Sequence, residues 1–71
     1  MPLVEVSVTK GALSPEDKVK MANDICDLLL KAIPGLRREA ISVIFHEHPG
    51  ENWVVGGVTV KELIERTKGK R

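Results

Sequence analysis

The second residue of this chain is a proline, and in that position proline offers chemistry that no side chain can. If Met1 is trimmed, as cells normally do when a small residue follows, Pro2 becomes a secondary amine at the chain terminus. A terminal amine ionises near 8 in model peptides, and desolvation against apolar walls lowers that value by disfavouring the ammonium form. That is the range a general base needs. The ring also pins φ, so the lone pair points in one direction. A second-position proline is equally a common amino-terminal residue, and the residue alone leaves both readings open.

Abstracting a proton next to a carbonyl puts charge on an oxygen, which a donor or a cation has to meet. The candidates are Lys10, the adjacent Arg37 and Arg38, His46, the indole N–H of Trp53 and backbone amides near the terminus. Arg37 and Arg38 fall in a connection, where a solvated basic turn is the plainer reading. Trp53 is the only tryptophan, so a large apolar area is concentrated at one place. It would serve as the wall of a pocket or as an interface anchor, and in an oligomeric site the two roles coincide. His46-Glu47-His48 invites a metal reading, but no third ligand is in view and a proline-glycine turn follows at once, so no metal site is expected. Gly56-Gly57 suits a tight bend; the pair does not open a helix after a strand, as a phosphate loop would. Cys26, on the apolar side of a helix, reads as an inert thiol.

The elements that must position these groups are legible from local pattern. Leu3 to Thr9 alternates Val4, Val6 and Val8 with Glu5, Ser7 and Thr9, the period of a strand with one apolar face. Ser14-Pro15-Glu16-Asp17 then supplies an N-cap serine, a proline at the first helical position and acidic residues facing the helix dipole. Val19, Ala22, Ile25, Cys26, Leu29 and Ile33 recur at helical spacing until Pro34-Gly35 stops the helix. Ala40 to His46 reads as a second strand with Ile41, Val43 and Phe45 on one face and Ser42, Ile44 and His46 on the other. Strand, helix and strand at these separations make a right-handed crossover with parallel strands. His48 to Asn52 is turn chemistry, Trp53 to Val58 a hairpin or edge strand broken by the glycines, and Val60 to Arg66 a last short helix. The basic end, residues 67–71, is expected to fray. The predicted class is α+β: a small β-α-β subunit with a two-stranded parallel sheet plus a C-terminal hairpin, forming a single domain over residues 1–71.

Such a chain has a core problem. At 71 residues it buries only about 60% of the surface its unfolded form exposes. One cysteine excludes an internal disulfide framework, so oligomerisation is the expected remedy. The helix covers one sheet face, and the open face and edges predict dimerisation into a larger sheet. Eleven Lys and Arg against ten Asp and Glu give a net charge of +1, too little field to draw in nucleic acid or an acidic membrane. The first apolar stretch is interrupted by Glu5 and lacks a basic leader, and no apolar run is long enough to span a bilayer, so a cytoplasmic location is expected.

Met1-Pro2 running directly into a strand, Ser14-Pro15-Glu16-Asp17-Lys18 opening a helix, His46-Glu47, and Glu51-Asn52-Trp53-Val54-Val55-Gly56-Gly57 occur together in this order. On those residues the chain resembles the 4-oxalocrotonate tautomerase family across roughly its first sixty residues. The resemblance implies a β-α-β subunit pairing into dimers that assemble further into a hexamer, a cofactor-free isomerase, and Pro2 as general base for keto-enol chemistry on a small α-keto or enol acid. It also carries the family's pocket aromatic onto Trp53. The family's best-known members place one arginine after the first strand and one in the second strand, both used on an anionic substrate. Ala12 and Ser42 stand there in this chain. Ser42, Lys10, Arg37, Arg38 and Trp53 are therefore the substrate-binding candidates, and a less charged substrate than a dicarboxylate is implied. Two alternatives accompany this reading: a proline-bearing subunit of a hetero-oligomeric dehalogenase or hydratase, and a non-catalytic assembly subunit.

Overall fold

In the computed structural model, which describes residues 1–69, the chain runs as two strands joined by a long helix, then a small hairpin and a second helix. Strand β1 spans Leu3–Thr9, helix α1 Pro15–Ala32, strand β2 Ser42–His48, strands β3 and β4 Val54–Val55 and Val58–Thr59, and helix α2 Val60–Gly69. The expected β-α-β subunit with its C-terminal hairpin is present, and β1 and β2 pair in parallel from Leu3 opposite Ser42 to Thr9 opposite His48.

Local chemistry sets most boundaries. The Ser14 side chain accepts from the Asp17 N–H at 3.0 Å while the Asp17 carboxylate accepts from the Ser14 N–H at 3.3 Å, a reciprocal capping box that starts α1. Gly56 and Gly57 take φ of 58° and 86°, the two left-handed positions that the tight β3–β4 turn demands. Thr59 Oγ1 accepts from the Glu62 N–H at 3.1 Å and begins α2. That helix continues to Gly69, three residues into the segment expected to fray, and residues 70–71 lie outside the described part.

Strand β2 begins at Ser42 rather than Ala40 and continues to His48 rather than stopping at His46. The cause is a short 3₁₀ turn over Arg38–Ala40, closed by Ala40 N–H to the Arg37 carbonyl at 3.0 Å and Ile41 N–H to the Arg38 carbonyl at 3.1 Å. Arg38 holds that turn against α1, donating to Asp27 Oδ1 at 2.9 Å and Asn23 Oδ1 at 2.7 Å. A second tie between helix and sheet is Lys18 Nζ on Glu47 Oε1 at 2.8 Å.

No described residue, apolar or polar, reaches full burial. Val19 and Ile33, both expected on the buried side of α1, are exposed, as is Leu28 at 68%. The Cα radius of gyration is 15.9 Å, against roughly 11 Å for a compact domain of this length. Apolar side chains on α1, the open sheet face and the hairpin are thus left exposed or half-covered.

Candidate active site

The parallel sheet has two ends, and the candidate residues divide between them. At one end Pro2 enters β1, half-buried, its carbonyl accepting from the Ser42 N–H at 3.1 Å. The 3₁₀ turn before β2 folds over the same end, so Met1, Arg37, Glu39 and Ala40 line a cleft of about 340 Å³. Arg37 is thus the one basic candidate beside the terminus. Its guanidinium lies in solvent and, among the described residues, pairs only with Glu39 at 3.1 Å, so little holds it in place. Arg38, its neighbour in sequence, faces the other way. Its donors are taken by Asp27 and Asn23, and the hydrogen bond to Asp27 raises its pKa above the ordinary arginine value.

At the opposite end, the Lys10 N–H donates to the His48 carbonyl at 2.8 Å. Here the described chain has a larger cavity, about 420 Å³, lined by Ser7, His48, Asn52, Trp53 and Val54. The turn at Gly50–Asn52 delivers Trp53 to this place. Gly50 packs so tightly on α2 that a Cβ there would stand 3.0 Å from the Lys61 backbone nitrogen. The Val60 N–H then donates to the Trp53 carbonyl at 2.7 Å, fastening both sides of the hairpin. The indole meets the His48 ring edge-on, centroids 5.9 Å apart and planes at 88°.

The open face of the sheet connects the two ends with a diagonal ladder. His46 Nε2 lies 2.7 Å from Glu5 Oε1, and His48 Nε2 lies 3.4 Å from Ser7 Oγ. Among the described residues no cluster of three His, Cys, Asp or Glu side chains has the geometry to hold a metal ion. On the helix-facing side Glu47 is held below the usual glutamate value, first by its hydrogen bond from Lys18 and then by that ammonium's charge. Cys26 is half-buried in α1. Among the described residues, no helix is long and apolar enough to cross a membrane.

Pro2 and Trp53 do not share a cavity within one chain. Six residue-to-residue steps along β2 lead from Ser42 to His48, roughly 20 Å at 3.3 Å per step. Sequence reasoning named Trp53 but missed Ser7, His48 and Asn52 as its companions. Alternation from Ser42 through Ile44 and His46 puts His48 on the same sheet face; the return of Asn52 and Trp53 to that end depends on the turn at Gly50–Asn52 packing on α2, which local pattern does not carry.

A family model described as "Tautomerase enzyme" matches residues 2–63. A search of curated proteins gives no significant match. Among solved structures, the chain is 27% identical to a heterohexamer 4-oxalocrotonate tautomerase from Chloroflexus aurantiacus, with TM-score 0.76 over 89% of this chain and 98% of that one. It is 30% identical to TomN, a 4-oxalocrotonate tautomerase homologue in the tomaymycin biosynthetic pathway, with TM-score 0.74 over 90% and 95%. A 4-oxalocrotonate tautomerase isozyme from Methylibium petroleiphilum is 29% identical, with TM-score 0.77 over 87% and 97%.

Proposed function

The chain belongs to the tautomerase family, and from that premise we propose that it catalyses keto-enol proton transfer on a small α-keto or enol acid, with Pro2 as the general base after removal of Met1. The observation that carries the reading is the position of Pro2: the residue opens β1, its carbonyl is tied to β2 through Ser42, and Met1 beyond it is 98% exposed. Trimming Met1 therefore costs the fold almost nothing and leaves a secondary amine at a fixed point on the sheet.

In this reaction the Pro2 nitrogen takes the proton of an enol hydroxyl, the oxygen pair becomes the carbonyl, and the displaced C=C pair takes the proton back at carbon from the prolinium. Nothing is oxidised or reduced, and the cycle restores the free amine. An amine at the ordinary terminal value near 8 is unprotonated in roughly one molecule in ten at pH 7, and covering its surroundings with a partner subunit increases that fraction. Arg37, in the cleft beside the terminus, attracts the substrate carboxylate; Ser42 and Lys10 contribute their backbone positions at the two ends of the sheet. Arg38 acts in positioning the turn that carries Arg37.

The separation of Pro2 from Trp53 requires a composite site, Pro2 and Arg37 from one subunit and the Trp53 cavity from another, and so a homo-oligomer built on the exposed apolar surfaces. A hexamer made as a trimer of dimers satisfies this. A mixed oligomer is the second reading, favoured by Ala12 and Ser42 and by the likeness to a heterohexamer. Purified protein whose intact mass shows Met1 removed is expected to ketonise phenylenolpyruvate, and Pro2→Ala to lose on the order of a hundredfold or more of that rate. Activity indifferent to Pro2→Ala, or Met1 retained on the cellular product, sinks the reading; activity appearing only with a second chain selects the mixed oligomer.

A further inference from the structure

The cavity around Trp53 contains more polar chemistry than a hydrophobic wall needs. Ser7 offers a hydroxyl, Asn52 an amide and His48 an imidazole along an open groove that the indole and Val54 also line. Its volume of about 420 Å³ lies in the range of small-molecule sites, about 300 to 1,000 Å³. We propose that this groove binds the oxygen-bearing end of an enol or α-keto acid, with the His48 imidazole donating to the oxygen that gains charge as another subunit's Pro2 moves the proton. The proposal rests on the tautomerase reading and adds to it the group that meets the developing charge.

Three observations separate His48 from the other histidine. His46 is engaged at 2.7 Å by the Glu5 carboxylate, whose charge would repel an anionic oxygen. Among the described residues His48 has only the Ser7 hydroxyl, on Nε2 at a long 3.4 Å, and when that hydroxyl donates to Nε2 the ring proton sits on Nδ1, which is left able to donate to a ligand. The edge-on contact with Trp53 fixes the ring plane, so the donor direction is set before substrate arrives.

Charged residues of both signs stand near the groove in the chain. Lys10 lies one backbone hydrogen bond away from His48, and Glu47, the acidic neighbour of His48 in β2, is neutralised on the far side of the sheet by Lys18. Glu51 is exposed in the turn beside Asn52, and Lys61 follows at the start of α2. Two bound arginines would suit a dicarboxylate. A single imidazole flanked by an amide, a hydroxyl and an indole suits instead one charged oxygen next to a flat apolar group, that is, an aryl- or vinyl-substituted enol acid.

The test uses the assembled protein with phenylenolpyruvate as substrate and phenylpyruvate as ligand, and Trp53, the only tryptophan, as the fluorescent reporter. His48→Phe is expected to lower kcat by on the order of a hundredfold, the usual loss when one donor to a charged oxygen is removed, and His48→Gln to recover part of it. Phenylpyruvate should quench Trp53 saturably in the parent and in Pro2→Ala, and weakly in His48→Phe. Circular dichroism and elution volume identify a variant that has simply failed to fold, in which case Asn52→Ala and His48→Gln decide by the same readouts. If Pro2→Ala abolishes turnover while the His48 variants keep parental kcat and quench, the groove assignment is overturned and the proline mechanism stands. If Pro2→Ala is without effect while the quench depends on His48, the groove binds the acid and the proline mechanism fails.

Discussion

Two inactive variants should restore activity when they share an oligomer, and the expected amount follows from the strand geometry. Pro2 and the Trp53 cavity lie at opposite ends of a seven-residue parallel pair, roughly 20 Å apart. A small keto acid spans a few ångströms, so no site can take both groups from one chain. Pro2→Ala removes the base from one half-site, and Trp53→Leu removes the indole from the other while keeping an apolar side chain for packing. Each homo-oligomer should then be close to inactive. Co-expressed at equal levels under different affinity tags and purified through both, the chains should mix at random. About a quarter of the sites then receive an intact Pro2 from one chain and an intact Trp53 from another. The steady-state rate of phenylenolpyruvate ketonisation, normalised to oligomer, should reach about that fraction of the parent. A mixed oligomer no more active than its two parents would refute the reasoning, because it would mean that base and groove work within one chain despite their separation. Full activity in Trp53→Leu alone would refute the role of the indole.

Two further outcomes follow from the fold. Leu28 is 68% exposed on α1, and Val54 and Val55 are exposed on the hairpin; Leu28→Glu or Val55→Lys should split the oligomer, read by light scattering, with loss of circular dichroism because the separated chain has no buried core. Glu47 ionises below the ordinary glutamate value of 4.5 in the folded chain, because Lys18 hydrogen-bonds its charged form. The stabilisation is therefore complete above that value and lost as pH falls through the depressed one. Lys18→Met should flatten the acid side of the melting-temperature profile and leave the neutral side's slope unchanged; an unaltered acid limb would show that the pair contributes nothing.

The features that the sequence made legible are those governed by neighbours in the chain. The alternation of Val4, Val6 and Val8 requires a one-sided strand because successive side chains point to opposite faces. Ser14 and Asp17 start a helix because each satisfies the other's free backbone N–H, and Gly56-Gly57 turns a hairpin because other residues resist two successive positive φ angles. Family membership was readable for the same reason, since the proline, the capping box and the tryptophan-glycine segment are each short runs in a fixed order. The resemblance brought out Pro2 and Trp53, and composition gave reason to expect partners, because 71 residues with a single cysteine form a small core with no disulfide framework.

Tertiary structure decided what depends on residues distant in the chain. Arg37 and Arg38 are equivalent in sequence, yet one stands beside the terminus and the other is taken up by Asp27 and Asn23, eleven and fifteen positions earlier. The same tie winds the 3₁₀ turn that delays β2, a boundary that strand propensity around Ala40 could not register. His48 joined Trp53, Ser7 and Asn52 only because parallel pairing brought Thr9 opposite His48 and the packing of Gly50 on α2 returned the chain to the same end. Local pattern selects elements because their backbone preferences and hydrogen bonds close within a few residues. A pocket closes across tens of residues, so its membership is set by register and packing.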